Sequence, residues 1–162
     1  MYSKILLATD GSDSSRLALE EACRIAMRCG ARVHVVHVVD KWRLAPYAGY
    51  YDPEALGRVL HADGHGFLQS AREALAGQGV GCDAEIDETQ SRSDDIAHCL
   101  LRCAQRQGAE IVVMGTHGRR GLRKALLGSV AERFLHISTC PVLLVRSDAP
   151  AEAEAGKREA AA

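Results

Sequence analysis

Four short runs of apolar residues constrain the fold of this chain more than any other feature of its sequence. They are rich in Val, Ile and Leu and carry few polar residues, and they lie at 5–8, 33–39, 111–114 and 142–145. Strands buried on both faces have this composition, and such strands belong to parallel sheets covered by helices. A fifth segment, 82–88, alternates instead, with Ala84 and Ile86 predicted to point inward and the charged residues outward. This alternation predicts an edge strand.

Amphipathic helical patterns separate the five strands. In the first, apolar residues recur at helical spacing over Asp13–Cys29, with Ser12 as the predicted N-cap and Gly30 as the stop. We expect further helices at 53–76, alternatively broken near its two central glycines, at 93–107, capped by Ser93, and at 129–137. Strict alternation of strand and helix predicts an α/β fold: a doubly wound, five-stranded parallel sheet with helices on both faces.

Composition and charge limit the classes of function. The chain has 162 residues, of which 47% are hydrophobic and 25% charged, which is typical of one soluble domain. We place that domain at residues 1–146, followed by a flexible Ala-rich tail at 147–162. A net charge of −1 offers no general attraction to nucleic acid or membranes, and no apolar run approaches the roughly 20 residues of a membrane helix.

Six cysteines without a Cys-x-x-Cys pair, and no basic and apolar leader at the start of the chain, favour a cytoplasmic protein with reduced thiols. We therefore expect neither a nucleic-acid nor a membrane partner.

Two loops predicted at the carboxyl ends of strands have unusual sequences. The first strand continues into Thr9-Asp10-Gly11-Ser12, and the fourth into a segment with glycines at 115, 118 and 121, followed by Gly128-Ser129 at the start of the last helix. Between Gly115 and Ala131 there are four basic residues and no acidic one. Glycines, positive charge and a helix N-terminus together predict a phosphate site, the alternative being a solvated loop with ordinary surface bases. The P-loop pattern and a G-x-G-x-x-G after the first strand are both absent.

These residues resemble the universal stress protein family. Residues 108–146 are similar to the C-terminal half of that family, and KILLATDGSDSSRLALEEACRIA is similar to its first strand and helix. The family's nucleotide signature is Gly, two residues, Gly, nine residues, Gly, then Ser or Thr, and Gly115, Gly118, Gly128 and Ser129 match it without a gap. The resemblance implies the ATP-binding branch of the family and the strand order 3-2-1-4-5.

The resemblance also implies a role for individual residues. Asp10 would contact the ribose or a Mg²⁺ ion bound to the nucleotide, and Val38 or Val39 would meet the adenine. His117 could donate to a phosphate, or it could be an exposed loop histidine. The remaining implied contacts are with adenine for Ala8 and Thr9, with the ribose and α-phosphate for Met114 and Gly115, and with the phosphates for Gly118, Gly128, Ser129 and Val130.

The expected function is that of a nucleotide-dependent sensor or regulator in the stress response, without efficient catalysis. No residue is evidently placed to orient an attacking water, although Asp10 with a metal ion leaves slow ATP hydrolysis open. The resemblance further implies a homodimer formed through Val142–Val145, a pairing that would also cover an exposed apolar edge. The sequence does not identify the protein that receives the signal.

Two alternatives come from other classes of protein. A flavodoxin-like FMN electron carrier has a phosphate loop after its first strand, but Asp10 would repel the FMN phosphate. A phospho-accepting receiver domain would need Asp87 as its acceptor.

Other candidate groups favour structural roles. His61 and His65 have metal-ligand spacing but are expected on a solvated helix face, and Cys99 and Cys103 are expected to be buried apolar positions. His34 and His37 are predicted on opposite faces of a buried strand. The aromatic segment that follows the second strand is either a lid or a packed loop, and it contains Trp42, Tyr47, Tyr50 and Tyr51.

Overall fold

A computed structural model describes residues 1–42, 52–118 and 127–147 of the chain. Within these ranges strands and helices alternate throughout, as the sequence predicts. In chain order they are β1 (Lys4–Ala8), α1 (Asp13–Cys29), β2 (Arg32–Val39), α2 (Pro53–Gly77), β3 (Cys82–Glu88), α3 (Ile96–Gln107), β4 (Ile111–Gly115), α4 (Ser129–Ile137) and β5 (Val142–Val145).

The five strands form one parallel sheet in the order β3-β2-β1-β4-β5. The predicted fold class is therefore confirmed. The chain proceeds from β1 outward to β3 and then crosses back to β4 on the other side of β1. The strand order thus reverses between β1 and β4, where the two loops that follow these strands lie side by side.

Both faces of the sheet are covered, which explains the uninterrupted apolar runs of the central strands. Leu7 and Val35 point into a core shared with α1 and α2. Leu6, Val36 and Val112 point into the core on the opposite face, which they share with α3 and α4. Because neighbouring residues of one strand enter different cores, polar alternation is absent there.

The ends of α1 follow the sequence prediction. Ser12 is the N-cap, and its hydroxyl oxygen accepts a hydrogen bond from the Ser15 amide at 3.2 Å. Gly30 ends the helix at φ 65°, a left-handed conformation that favours glycine.

The start of α3 differs from the prediction. The N-cap is Asp95 and not Ser93, and the Asp95 carboxylate accepts from the His98 amide at 2.9 Å. The Asp94 carboxylate instead accepts from Arg102, at 2.9 and 2.7 Å, and from the Gln90 amide at 2.8 Å. That ion pair holds residues just before Asp95 in a loop.

Helix α2 is continuous, so the predicted break at its two central glycines does not occur. Gly64 is needed for packing: a Cβ atom there would lie 2.6 Å from the Cδ2 atom of His37 on β2. The glycine lets the helix approach the sheet closely while keeping its own hydrogen bonds.

The prediction that the charges of β3 point outward is wrong for Glu88, which shares the α2 face with Ala84 and Ile86, and for two further acids. In the sheet register Val36 lies beside Glu85 and Val38 beside Asp87, so both acids are on the face covered by α3. Glu85 and Asp87 both meet Arg106 of that helix, at 2.7 and 3.2 Å. The sequence alternation correctly predicts that Glu85 and Asp87 lie opposite Ala84 and Ile86, but it does not show that α3 covers that face.

Several sequence predictions lie outside the described residues. These concern the three tyrosines of the aromatic segment, the four bases of the glycine-rich loop and nearly all of the 147–162 tail: Tyr47, Tyr50, Tyr51, Arg119, Arg120, Arg123 and Lys124. In the portion that is described, no helix has both the length and the apolar character needed to cross a membrane.

Candidate functional site

The loops after β1 and β4 are joined by hydrogen bonds at the carboxyl edge of the sheet. Ser14 Oγ donates to the carbonyl oxygen of His117 at 2.5 Å, and Ser12 Oγ lies 3.2 Å from the same oxygen. Both serines belong to the start of α1. The first turn of that helix therefore fixes where the β4 loop runs.

Asp10 lies between these two loops. Its Oδ1 atom accepts from the Ser12 amide at 3.0 Å and from the Ser12 hydroxyl at 2.6 Å. Its Oδ2 atom faces Gly118, where an added Cβ would lie only 2.9 Å from it. Asp10 is thus both a turn-forming residue and a carboxylate directed at the glycine-rich loop.

Two of the signature glycines are required by close backbone approaches. At Gly115, a Cβ atom would lie 2.9 Å from the carbonyl carbon and the Cβ of Ser14. At Gly128, it would lie 2.9 Å from the carbonyl oxygen of Thr116, which already accepts from the Gly128 amide at 2.8 Å. The missing side chain of Gly115 lets β4 pack closely on α1, and that of Gly128 lets α4 pack closely on the β4 loop.

The N-terminus of α4 points into this same region without a side-chain cap. Gly128 occupies the N-cap position and offers no hydrogen-bonding side chain. The first N–H groups of a helix have no acceptor within the helix, and the helix dipole adds partial positive charge there. The amides at Ser129 and Val130 consequently lie at a helix end whose charge suits an anion.

His117 supplies an unsatisfied polar atom beside it. Its Nδ1 atom lies 2.9 Å from the Thr116 hydroxyl. Its Nε2 atom is buried and has no hydrogen-bond partner among the residues described. An unpaired buried polar group costs about 1–3 kcal/mol, so an oxygen-rich ligand at this position would be favoured.

The end of β2 contributes apolar surface. Val38 is half-buried on the α3 and α4 face, together with Ala8. Val39 points to the other face, is buried, and its carbonyl oxygen accepts from the Thr89 amide at 3.2 Å. Of the two valines that the resemblance offered for adenine, Val38 is therefore the more accessible to a ligand.

The two remaining residues assigned to the nucleotide are anchored in the sheet. Thr9 is held by its backbone: its amide donates to the Val36 carbonyl at 2.9 Å, and its carbonyl lies 2.8 Å from His37 Nδ1. Met114 is a buried residue of β4.

We name the group formed by Asp10, Gly115, His117, Gly118 and Gly128, together with the α4 N-terminus, the switch-point site. Every residue predicted to contact phosphate lies at this edge of the sheet.

Two positioning residues were not identified from the sequence. Ser14, which is 2% exposed, aligns the β4 loop, and the run of three serines in 12–15 was a signal that more than capping was involved. Phe67 of α2 packs so closely on Gly11 that a Cβ there would lie 2.7 Å from its Cδ1 atom. Gly11 also has φ 78°. No local pattern could have revealed a contact between residues so distant in sequence.

The other histidine and cysteine predictions have clear outcomes. His61 lies 2.7 Å from Glu88, and His65 is exposed. Cys99 and Cys103 are fully buried, as expected. Burial, with the nearby Asp87 carboxylate, raises the pKa of Cys99 to about 12.

Asp87, the acceptor that a receiver domain would need, does not meet the acid that follows β1. Asp87 lies on the edge strand β3 and is paired with Arg106, whereas Asp10 follows β1 on the far side of β2.

A doubly wound parallel sheet with glycine-rich turns and a helix N-terminus at its reversal point defines the class of Rossmann-like α/β proteins. Within that class, the chain belongs to the universal stress protein family, whose family model matches residues 1–146.

Similarity to individual proteins agrees with this assignment. A universal stress protein of Methanocaldococcus jannaschii is 34% identical over 149 residues, covering 90% of this chain and 83% of the relative. A crystal structure of a family protein from Burkholderia pseudomallei is also 34% identical, with a TM-score of 0.75, and the match covers 90% of this chain and 97% of the other.

Two more distant solved structures contain adenine nucleotides. One is a universal stress protein from Archaeoglobus fulgidus in complex with dAMP, 22% identical with a TM-score of 0.61, covering 89% of this chain and 98% of its own. The other is a universal stress protein in complex with cAMP, 23% identical with a TM-score of 0.62, covering 90% and 97%. At this identity the likeness to the present chain is one of fold.

Proposed function

We propose that this chain binds an adenine nucleotide, with ATP as the preferred ligand, at the switch-point site, and acts as a nucleotide-dependent regulator of a stress response. The observation that carries the proposal is the N-terminus of α4, which has no side-chain cap, next to His117, whose buried Nε2 atom has no partner within the described residues. A Cβ atom at Gly128, the N-cap of α4, would lie 3.5 Å from the His117 Cα atom, so both groups would donate to an anion bound between the two loops.

The phosphates would lie between the two loops. The amides at Ser129 and Val130 would donate to them, His117 Nε2 would donate in the tautomer that carries its proton there, and Gly118 and Gly128 would leave room for close approach. Backbone amides suit this task because they cannot be lost by rotation of a side chain.

The nucleoside would lie along the ends of β1, β2 and β4. Ala8, Thr9 and Val38 would border the adenine, with Val39 contributing less because its side chain and carbonyl are already engaged. Met114 and Gly115 would flank the ribose and α-phosphate. Asp10 Oδ2 would accept from a ribose hydroxyl or bind a Mg²⁺ ion carried by the nucleotide, since a carboxylate beside bare phosphates would be repelled.

Binding is proposed without efficient catalysis. In the described part of the site, Asp10 and His117 are the titratable side chains, and Asp10 Oδ1 is engaged by Ser12. Neither side chain is placed as a general base that would orient and deprotonate an attacking water. A turnover approaching 1 s⁻¹ would contradict this part of the proposal.

We also propose a cytoplasmic homodimer. All six cysteines are free thiols, which suits a reducing compartment. Strand β5 pairs with β4 on one side, and its four apolar residues, Val142–Val145, remain partly exposed. Pairing of two β5 edges would cover them. Light scattering of the purified protein should give twice the chain mass of 17.4 kDa.

The nucleotide proposal is tested by identifying what the protein carries and by blocking the site. Freshly purified protein is denatured and the released small molecules are identified by mass spectrometry, with an adenine nucleotide as the expected result. ATP affinity is then measured by calorimetry for Gly118→Val, whose side chain would enter the space between Asp10 and the phosphates. We expect at least a tenfold loss.

The matched control is Gly66→Ala. A Cβ at Gly66 meets nothing within 4 Å, and the residue lies on the exposed side of α2. This variant should bind ATP like the parent. Unchanged affinity in Gly118→Val, with native circular dichroism, would show that the ligand lies elsewhere.

A further inference from the structure

A second group of reactive side chains lies away from the switch-point site, between the edge of the sheet and α3. His34 of β2, Glu85 of β3 and Cys103 of α3 place one ligand atom each within 4.8 Å of one another. We call these three residues the edge trio. Three different elements supply them, so the trio is a product of the tertiary fold and not of sequence spacing.

The trio is already compact. His34 Nε2 lies 2.8 Å from Glu85 Oε1, and Cys103 Sγ lies 3.3 Å from the same oxygen. Ligands at the corners of a tetrahedral zinc site are separated by roughly 3.3–3.8 Å. For these two pairs, closing the trio around an ion therefore needs movements of a few tenths of an ångström, and the ligand atoms of His34 and Cys103 already lie within 4.8 Å of each other.

The chemistry of the trio selects a class of ion. An imidazole nitrogen, a carboxylate oxygen and a thiol sulfur are together the ligand set of Zn²⁺ and ions of similar softness, and not of Mg²⁺ or Ca²⁺. Burial raises the pKa of Glu85, but hydrogen bonds from Arg106, Cys103 and His34 outweigh it and hold the pKa at about 2. The carboxylate is therefore charged at neutral pH.

Exposure allows an ion to enter while the sulfur stays protected. The side chains of His34 and Glu85 are 16% and 32% exposed, and Cys103 is fully buried beneath them. Burial and the neighbouring Glu85 raise the pKa of the Cys103 thiol, so in the absence of a metal it is an unreactive thiol. An ion would enter from the β3 edge and keep a water as its fourth ligand.

Arg106 acts as the competing cation. Its Nη2 atom lies 2.7 Å from Glu85 Oε1 and 3.2 Å from Asp87. The guanidinium neutralises the same carboxylate that a metal would use, and Asp87 offers it a second partner when it is displaced. Gln107 Nε2 also reaches Glu85 Oε1, at 3.3 Å. Arg106 would consequently compete with any cation that binds the trio.

We propose that His34, Glu85 and Cys103 form a binding site for a zinc-class divalent cation, with Arg106 occupying the site in the metal-free protein. The site is separate from the switch-point site, and it does not depend on the nucleotide proposal. Metal there would tie α3 to the β2–β3 edge of the sheet.

Cobalt(II) is the probe, because a thiolate ligand gives Co²⁺ an intense sulfur-to-metal charge-transfer band that oxygen and nitrogen ligands do not produce. Nucleotide-free, reduced, full-length protein is titrated with Co²⁺ and then with Zn²⁺. We expect one Co²⁺ per chain, the thiolate band, and its loss on addition of zinc. Arg106→Gln should bind Co²⁺ at least several-fold more tightly, which a purely structural role of the trio does not predict.

The variants assign the band to its ligands. Cys103→Ser should abolish it, and Glu85→Gln should weaken Co²⁺ binding at least tenfold. The matched control is Cys99→Ser: Cys99 is equally buried, one turn earlier on α3, and should leave the band in place. Circular dichroism checks that each variant is folded.

The proposal is overturned if neither the parent nor Arg106→Gln develops the band at millimolar Co²⁺. It is also overturned if the band survives in folded Cys103→Ser or disappears in Cys99→Ser alone. A band retained at full affinity in Glu85→Gln excludes that carboxylate as a ligand and likewise contradicts the site.

Discussion

The switch-point site and the β3 edge show two opposite ways of placing polar groups in one small α/β domain. At the switch point, polar side chains hold the backbone: Ser12 and Ser14 contact the His117 carbonyl, while α4 has no side-chain cap and, among the described residues, His117 Nε2 has no partner. At the β3 edge, side chains pair with one another, and Glu85 receives hydrogen bonds from four neighbouring side chains.

This difference predicts that the switch-point site mainly determines ligand binding and that the β3 edge mainly determines the stability of the fold. Unsatisfied donors on a rigid backbone frame are costly in the empty protein and favour a ligand that pairs with them. Charges that are already paired stabilise the folded state. They bind a ligand only when the ligand replaces one of their partners, as a metal ion would replace Arg106. Substitutions at the switch point should therefore act through packing and binding, and those at the β3 edge through stability and its pH dependence.

The largest effect on stability is expected at Gly115, where the backbone of β4 packs against the backbone of α1. In Gly115→Ala the new Cβ would lie 2.9 Å from the Ser14 carbonyl carbon, which cannot move without disturbing α1. We expect a loss of about 1–3 kcal/mol of unfolding free energy, together with loss of nucleotide binding. Urea denaturation measures the first and calorimetry the second.

Gly66→Ala provides the contrast for that measurement. Its Cβ meets nothing, and alanine in a helix interior is favoured over glycine by about 0.5–1 kcal/mol, so this variant should be slightly more stable than the parent. Equal stability of Gly115→Ala and the parent would mean that the close approach of β4 to α1 is absent in solution.

The next effect is expected at the β3 edge and depends on pH. The folded protein holds the pKa of Glu85 at about 2, below its ordinary value of 4.5. A depressed carboxyl pKa stabilises the folded state fully above the ordinary value, and this contribution is lost as the pH falls from about 4.5 toward 2. Glu85→Gln should cost about 1–2 kcal/mol at pH 7, since the side chain is 32% exposed, and much less near pH 2.

Unfolding midpoints measured in urea between pH 7 and pH 2 check this. The hydrogen bonds from Arg102 also hold the Asp94 pKa below its usual range, so the parent retains some acid sensitivity from that second pair. A constant difference between parent and Glu85→Gln over the whole range would show that Glu85 stabilises by packing and not by its charge.

A smaller effect is expected from Ser14→Ala. The variant loses the 2.5 Å hydrogen bond to the His117 carbonyl, but Ser12 Oγ remains 3.2 Å from that oxygen. We expect a cost of about 1 kcal/mol and a several-fold weaker affinity for ATP, because the β4 loop is less well held.

Ser70→Ala is the control for Ser14→Ala. Its hydroxyl also donates to a backbone carbonyl, that of Gly66 at 3.0 Å, but on the exposed side of α2. Its stability should stay within about 0.5 kcal/mol of the parent. If the two variants behave alike, the serine at the loop junction has no special role.

The sequence predicted the fold and which residues follow β1 and β4 because both depend on local patterns. Apolar runs identify buried parallel strands, and the glycine spacing predicts glycines after β4 and at the start of α4, where Gly115 packs against Ser14 and Gly128 is the N-cap. What it missed depends on contacts between distant segments. Ser93, Asp94 and Asp95 are all acceptable caps, and the ion pair of Asp94 with Arg102 selects among them.

Glu85 shows the same limit more sharply. Alternation in β3 assigned it to the face opposite Ala84 and Ile86, which is correct, but an edge strand is normally solvated on one face. Only the position of α3 shows that this face is covered and that Cys103 lies beneath the carboxylate. The edge trio was therefore invisible in the sequence, where its members lie at 34, 85 and 103.

The smallest effect is expected on the other face of the same strand, where it tests the comparison most directly. Glu88 is paired with His61 at 2.7 Å and Lys41 at 2.9 Å, but the His61 and Glu88 side chains are each 37% exposed. Solvent screening reduces the contribution of such pairs to stability to less than about 1 kcal/mol.

His61→Gln should change the unfolding free energy by under about 0.5 kcal/mol, and this change should shrink further in 1 M salt. It should also leave the Co²⁺ charge-transfer band unaltered, because its imidazole lies on the α2 side of the sheet. An effect as large as that of Glu85→Gln would mean that exposure does not distinguish Glu88 from Glu85, and that burial under α3 does not account for the contribution of Glu85.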